Sequence, residues 1–255
     1  MKIRYILSSV ALASLSLTSC SDLDTAPEGN IITSDKKGEI LEEMPERGLA
    51  GVRAIFQGLS AYEPNYEAFG KIERHNDIGY PSVLMFTDAN TEDVVSDPNG
   101  YNWNENSLDY SDRTYTSYES QMVWNDHYNA IYVANTVIKG YNTGEDPTNE
   151  EARFFYAQGL AARAYFYFNL AQLYQFTYKD NETKPCIPVV TDENTAKSQV
   201  EGTPCSTVEE TYTQIKSDID HAITLLEGTS YEREDKRYIS LAVAYGIRAR
   251  VNLVM

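Results

Sequence analysis

Apolar residues recur every three to four positions in four long stretches, the mark of amphipathic helices. The first covers Glu119 to Tyr141, with Trp124, Tyr128, Ile131, Asn135 and Ile138 on one face. The second runs from Asn149 to Phe176, and its stripe of Ala152, Phe155, Tyr156, Leu160, Phe166, Tyr167, Leu170 and Tyr174 is interrupted once, by Arg163. Thr148, with Glu151 three residues on, predicts a capping box at its start. The third, Thr207 to Glu227, carries Val208, Tyr212, Ile215, Ile219, Ile223 and Leu226, a second capping-box pattern (Thr207, Glu210), and Gly228 as the expected C′ residue. The fourth begins near Tyr238 and still runs at Met255. Earlier, Gly38 to Ala61 predicts a helix that Pro45 divides. Strand signals are poor. The best is Ile187-Pro188-Val189-Val190, whose proline restricts it to an edge or an extended loop.

The fold class is therefore mostly α. Small residues at Ala134, Gly159, Ala161, Ala222 and Gly246 suit closely packed helix pairs, and the expectation is tetratricopeptide-like helical repeats with long irregular loops. The last helix ends in Val-Asn-Leu-Val-Met without a cap. Its stripe of Val243, Ile247, Val251 and Val254 asks for a covering helix, so the chain reads as truncated.

The first residues obey another logic. Lys2 and Arg4 precede an uncharged apolar run from Tyr5 to Leu17, too short to span a bilayer, where about 20 residues are needed. A charged start, an apolar middle and small residues before a break describe an export signal, residues 1–19. Leu17-Thr18-Ser19-Cys20 resembles the bacterial lipobox, which implies cleavage before Cys20 and lipidation of its thiol. Ser21-Asp22-Leu23-Asp24 resembles the acidic signal of lipoproteins sent to the outer face of the outer membrane. Residues 20–34 show no sustained period and read as a tether; 35–255 form the helical domain.

Composition narrows the function. Asp plus Glu total 38 against 21 Lys plus Arg, a net charge of −17, which repels phosphate and argues against a nucleic-acid partner. Tyr is abundant, 20 residues against 8 Phe and 2 Trp, and suits wet interfaces and polar ligands. Cys186 and Cys205 form an even pair in an exported chain, which invites a disulfide, though two cysteines carry no check on their pairing. His75, His127 and His221 share no metal-ligand spacing with one another or with cysteine, and neither a metal nor a cofactor is expected. His127 and His221 fall on the polar sides of their helices, where solvent is expected.

Taken in order, these segments resemble the SusD/RagB family of outer-membrane nutrient-binding lipoproteins. The likeness lies in Asp22-Leu23-Asp24 after the cysteine, in Trp124, Tyr128, Ile131 and Ala134-Asn135, and in Glu151-Ala152-Arg153-Phe154 followed by Arg163-Ala164-Tyr165-Phe166-Tyr167-Phe168. It continues through Pro188-Val189-Val190-Thr191, Asp218-Ile219, and Ala249-Arg250-Val251. The resemblance covers Cys20 to Met255 and corresponds to the family's N-terminal half. It implies a lipid-anchored protein on the cell exterior that binds a glycan or other oligomeric nutrient and hands it to a SusC-like TonB-dependent transporter.

The candidate ligand residues lie before the first long helix. Tyr101 to Tyr118 interleaves aromatics with Asn, Asp, Ser and Thr without a period, so it reads as loop. Aromatic faces beside amides and carboxylates suit a sugar, whose C–H groups lie on the ring while its hydroxyls take hydrogen bonds. Tyr101, Trp103, Asn106 and Tyr110 are the expected contacts, with Asp88, which the resemblance raises, as an acceptor for ligand hydroxyls. Trp124, at a periodic position, reads as core. Asp88, Glu92 and Asp93 form a carboxylate cluster that fails the calcium-loop pattern and reads by default as a solvated turn. There is no nucleophile elbow, phosphate loop or dinucleotide fingerprint, and no catalytic site is expected. The alternatives are a peptide or glycoprotein ligand, a scaffold that binds only protein, and a glycosidase using carboxylates such as Asp88 and Glu92.

Overall fold

A computed structural model of the chain describes residues 34–57, 77–95 and 104–255. The signal segment, Cys20, Tyr101 and Trp103 lie outside the described residues. The chain divides into two units, Met1–Lys37 and Gly38–Met255, and the packing below is that of the second.

In chain order the described helices are α1 (Ser34–Glu43), α2 (Leu49–Gln57), α3 (Tyr80–Ala89), the single turn α4 (Glu105–Leu108), α5 (Tyr118–Tyr141), α6 (Glu150–Tyr174), α7 (Thr195–Glu201), α8 (Val208–Glu227) and α9 (Leu241–Val254). Pro45 divides the first predicted helix as expected, and Pro45–Gly48 forms a 3₁₀ turn between α1 and α2. The long helices α5, α6 and α8 fall where the periodicity places them. The capping box at Thr207 and Glu210 is fully formed. The cap of α6 is Asn149 rather than Thr148; its side chain accepts from the Glu151 and Ala152 N–H groups. Thr148 is drawn instead to Glu42 on α1. Gly228 sits at the C-cap with φ −86°, so no left-handed C′ residue is involved.

Cross-helix contacts set the topology. Tyr141 meets Phe155 (ring centroids 6.5 Å), Tyr128 meets Tyr167 (6.4 Å) and Trp124 meets Tyr174 (5.1 Å), so α5 and α6 run antiparallel. Phe168 with Tyr212, Arg163 with Asp218, and Tyr156 with His221 make α6 and α8 antiparallel in turn. Lys216 with Asn252 and Asp220 with Arg248 do the same for α8 and α9. The result is a row of antiparallel helices with α6 at its centre, sandwiched between α5 and α8, which explains why its buried residues are not confined to one stripe. Gly159 permits this proximity: a Cβ there would sit 2.9 Å from Ile138 Cγ1 and 3.4 Å from the Ala134 carbonyl.

Arg163, the interruption in the α6 stripe, sits in the core and is paired. Its Nε and Nη2 grip both oxygens of buried Asp218 at 2.7 Å each, while Nη1 donates to Asn135 Oδ1 (2.8 Å) and Asp192 Oδ1 (2.9 Å). Burial pushes the Asp218 carboxyl up and the adjacent guanidinium pulls against that. The two carboxylates overcome Arg163's desolvation and hold its charge more firmly than in water. The network also fastens the connection between α6 and α8. Asn135 Nδ2 donates to the Val190 carbonyl (2.8 Å), which also accepts from the Tyr167 hydroxyl (2.6 Å).

The segment around Ile187 is the extended loop that its proline allowed: one antiparallel bridge, Pro185 with Thr207, stands beside it, and the Tyr128 and Tyr167 side chains claim the Pro188 and Val190 backbone. Two expectations change here. The stripe on α9 is covered: Ile247 and Val251 are buried in the core shared with α8, and Val254 is half-buried, leaving Val243 exposed. His127 is fully buried, edge-on to Phe166 at 5.3 Å and 6.1 Å from Tyr80, because α3 packs over the side of α5 that was expected to meet solvent. Tyrosine, too, contributes to the core: Tyr80, Tyr141, Tyr156, Tyr167, Tyr212 and Tyr238 are buried. Two of their hydroxyls tie a connecting segment to a helix: Tyr141 donates to the Pro45 carbonyl at 3.2 Å and Tyr167 to the Val190 carbonyl at 2.6 Å.

Candidate functional site

The N-terminal turns of α5, the C-terminal end of α6, the second half of α3 and the loop before α5 surround an open cleft of about 1180 Å³. That is somewhat above the usual size of small-molecule pockets, with room for an oligosaccharide. α5 contributes Ser120, Gln121, Trp124 and Asn125; α6 contributes Gln172, Leu173 and Tyr174; α3 and its C-cap contribute Phe86, Thr87 and Asn90. The loop contributes Asp112 through Ser117.

The aromatic wall is built by antiparallel packing. Trp124 lies 4.6 Å from Tyr128, tilted by 37°, and edge-on to Tyr174 at 5.1 Å. Tyr174 is fixed by its hydroxyl, which donates to the Ser120 carbonyl, and Tyr128 by a 2.7 Å bond to the Pro188 carbonyl. Burial pushes both phenols well above their ordinary range. Trp124 is therefore held from behind and half-buried against the core, with the rest of its surface on the cleft. Around it the lining offers amides (Asn90, Gln121, Asn125, Gln172) and hydroxyls (Thr87, Thr114, Thr116, Ser117). Such groups accept and donate hydrogen bonds without a net charge.

The loop from Asn104 to Ser117 is irregular after the single turn of α4, as its lack of period predicts. It ends on Ser117, whose hydroxyl caps α5 by accepting from the Ser120 N–H at 3.1 Å. Arg113 joins it to α3. Its Nε donates to Asn90 Oδ1 at 3.4 Å while its guanidinium lies 3.9 Å over the Tyr110 ring. Tyr115 is 98% exposed at the rim of the cleft.

Of the sequence-predicted ligand residues, the described ones, Asp88, Asn106 and Tyr110, fall around this cleft and not on its lining. Asp88 is exposed in the last turn of α3, two residues before Asn90, and Glu92 and Asp93 are exposed beyond it. Asn106 is exposed on α4 and donates to Glu119 Oε1 at 3.2 Å. Tyr110 is half exposed under Arg113. Arg113 thus brings Tyr110 and the end of α3 carrying Asp88 to one rim. Trp124, read as core, does pack against it, and it also lines the cleft, which sequence reasoning did not indicate. Its periodic position put it on the right face, but periodicity does not say where along a face the covering helix stops. Tyr115 and Asp112 were within the loop singled out, and nothing distinguished them there.

Asp112 is the one carboxylate among the described lining residues, and no group of three metal-ligating side chains occurs among the described residues. No described helix is long and apolar enough to cross a membrane. Cys186, half-buried, and Cys205, exposed, carry free thiols on the two arms of the Pro185–Thr207 bridge.

Comparison with known proteins places this arrangement. Residues 78–253, from just before α3 through almost all of α9, match the SusD-like family described as "Starch-binding associating with outer membrane". Among solved structures, a SusD-like carbohydrate binding protein from Bacteroides vulgatus is similar, with 24% identity and a TM-score of 0.66 over 82% of this chain and 41% of that one. A SusD superfamily protein from Bacteroides fragilis shares 21% identity with a TM-score of 0.63, over 82% and 46% of the two chains. A laminarin binding SusD-like protein shares 21% identity with a TM-score of 0.57, over 82% and 40%. At these identities the likeness is one of fold, and the chain spans less than half the length of each. No curated protein matches. On the family match, which takes in every helix from α3 to α9, the chain belongs to the SusD-like family.

Proposed function

We propose that this protein binds a neutral glycan in the cleft beside Trp124, by aromatic stacking and hydrogen bonds, without cleaving it. The observation that carries this reading is the wall itself. An indole supported from behind by two tyrosines opens onto a cleft whose polar lining is mostly amides and hydroxyls, with one carboxylate (Asp112) and one guanidinium (Arg113) of opposite charge. Pyranose rings present C–H faces for stacking and hydroxyls for such partners. The carbohydrate-binding SusD-like structure and the laminarin-binding one lend the same reading support from the family side. Glycoside hydrolysis calls for two carboxylates flanking the bond, and the described lining offers Asp112 alone.

Asp88, Asn106 and Tyr110 extend the contact along the rim, with Tyr101 and Trp103 continuing it from the adjoining segment. Cys20 carries the lipid after removal of residues 1–19, anchoring the protein to the outer membrane on the exterior face. A SusC-like TonB-dependent transporter then receives the bound glycan. Cys186 and Cys205 pair after export. Affinity electrophoresis against a panel of neutral and acidic polysaccharides tests the central reading: retardation by at least one neutral glycan is expected. Retardation by none, for a folded chain, contradicts it.

A further inference from the structure

The outer side of α5 is unlike that of a helix facing only water. Such surfaces carry charged residues as a rule, and this chain has a net charge of −17. Yet between Gln121 and Thr136 every α5 residue that is not buried is uncharged. The one carboxylate and the one imidazole of that stretch, Asp126 and His127, are both buried. What remains outside is a run of rings and amides on successive turns: Gln121, Trp124, Asn125, Tyr128, Asn129 and Tyr132.

The first three of these line the cleft already described. The last three line a second pocket, of about 430 Å³, between α5 and α7. That volume falls within the range of ligand pockets. The two hollows meet where Trp124 contacts Tyr128, at 4.6 Å. Beyond it Tyr132 is 48% exposed. α7 supplies Thr195, Ser198 and Gln199 to the second pocket, all neutral and spaced to share one face of the helix. Its charged residues, Lys197 and Glu201, pair with each other at 3.7 Å and take no part in the lining. α7 buries none of its residues, so core packing does not account for its place beside α5. A bond from Asn135 Nδ2 to Thr195 Oγ1 (3.3 Å) ties the two helices together.

We propose that the pocket between α5 and α7 is a second subsite for the glycan held in the cleft, so that one chain lies along α5 from Trp124 to Tyr132. This rests on the glycan reading above and adds a length requirement to it. Eight residues of helix rise by about 12 Å, more than one sugar ring spans and less than a hexasaccharide does. Tyr132 offers a ring face to the second stretch of chain, while Asn129, Gln199 and Ser198 offer hydrogen bonds to its hydroxyls. Among the described lining residues no cation supplies a counter-charge for a uronate or a sulfate, so the chain is neutral here too. Once one stretch is seated beside Trp124, binding of the next is intramolecular, and the two contacts reinforce each other.

The test is calorimetric titration of the full chain with disaccharides and hexasaccharides from amylose, laminarin and xylan, alongside Tyr132→Ala, Ser198→Leu and Trp124→Ala. In at least one series the hexasaccharide should bind the parent at least about tenfold more tightly than the disaccharide. Tyr132→Ala removes the ring, and Ser198→Leu fills the pocket from the α7 side. Each should weaken hexasaccharide binding about fivefold or more, the loss of one aromatic contact, and leave disaccharide binding as in the parent. Both should unfold at the parent's midpoint, because Tyr132 is half exposed and α7 buries nothing. Should Ser198→Leu fail to fold, Tyr132→Ala decides alone. A hexasaccharide held no more tightly than the disaccharide overturns the second subsite, and so does one that binds Tyr132→Ala as it binds the parent. If in that case Trp124→Ala still loses binding, the glycan reading stands and the outer face of α5 serves a protein partner instead. If the parent binds none of the three series, both readings fall.

Discussion

Replacing Arg163 with methionine removes the only cation from a buried cluster of two carboxylates and an amide. Asp218 would lose both of its 2.7 Å guanidinium bonds, keeping a 2.9 Å bond from Gln214, and Asn135 Oδ1 would lose its 2.8 Å donor. Asp218 is 3% exposed, so water cannot readily replace what is lost. Breaking a buried pair from one side costs about 3–5 kcal/mol, because the remaining charge is stranded. Domains of this kind are stable by about 5–15 kcal/mol, so the variant should lose a large share of its stability. The second substitution decides the cause. Arg163→Met combined with Asp218→Leu removes the stranded charge along with its partner, and should recover much of the loss. Urea unfolding followed by far-UV circular dichroism measures both, with an unchanged m-value as the check that compactness is preserved. A loss below about 1 kcal/mol for the single variant would mean the pair behaves as an exposed one. A double variant no better than the single would mean that stranded charge is not the source. Either result refutes the reasoning.

Glu42 clasps the α5–α6 connection by accepting from the Thr148 and Asn149 N–H groups at 2.8 and 3.0 Å. Burial pushes its carboxyl up, but these bonds and the Thr148 hydroxyl outweigh that and hold it below the ordinary value of 4.5. Its contribution is therefore complete above about 4.5 and is lost as pH falls through the lowered folded value. Glu42→Gln should be less stable than the parent at pH 7, and the gap should narrow as pH falls below about 4.5; a gap that does not narrow on acidification would contradict the clasp. Gly159→Val should destabilise by about 1–3 kcal/mol through overpacking against Ile138 and the Ala134 carbonyl. An unchanged unfolding midpoint would mean that α5 and α6 do not approach as described. Burial pushes the Cys186 thiol above its ordinary range, whereas Cys205 is exposed. In the reduced protein, Cys205 should be alkylated first at pH 8, and exported protein should show neither thiol; two reactive thiols after export would contradict the pairing.

What the sequence discloses, and what it withholds, follows from range. α5, α6 and α8 are long and bury a continuous face, so the 3.6-residue period survives in the chain. α3 was not foreseen because its apolar residues do not segregate: Val83 is buried while Leu84 and Met85 are exposed. α7 buries no residue at all, so there is no stripe to read. Arg163 was visible as an irregularity, but its meaning lies 55 residues away at Asp218. The same limit hid the site. The loop before α5 was legible as an aromatic, polar and aperiodic stretch, and the cleft does border it. Which members line the cleft depends on where α6 ends beside Trp124 and on how Arg113 reaches Asn90, and neither is local. His127 shows the converse error, since a polar face on a helical wheel is solvated only if no other helix covers it, and α3 does.

The most direct test of glycan binding in the cleft is calorimetric titration of amylose-derived oligosaccharides into the parent chain and Trp124→Ala. Trp124→Phe accompanies them, to keep the packing against Tyr128 and Tyr174. Stacking on the indole predicts measurable heat of binding for the parent. It also predicts a loss of about tenfold or more for Trp124→Ala, since aromatic contact area and stacking together are worth about 1.5–3 kcal/mol, and a smaller loss for Trp124→Phe. Equal affinity in all three proteins would place the ligand elsewhere and contradict the account.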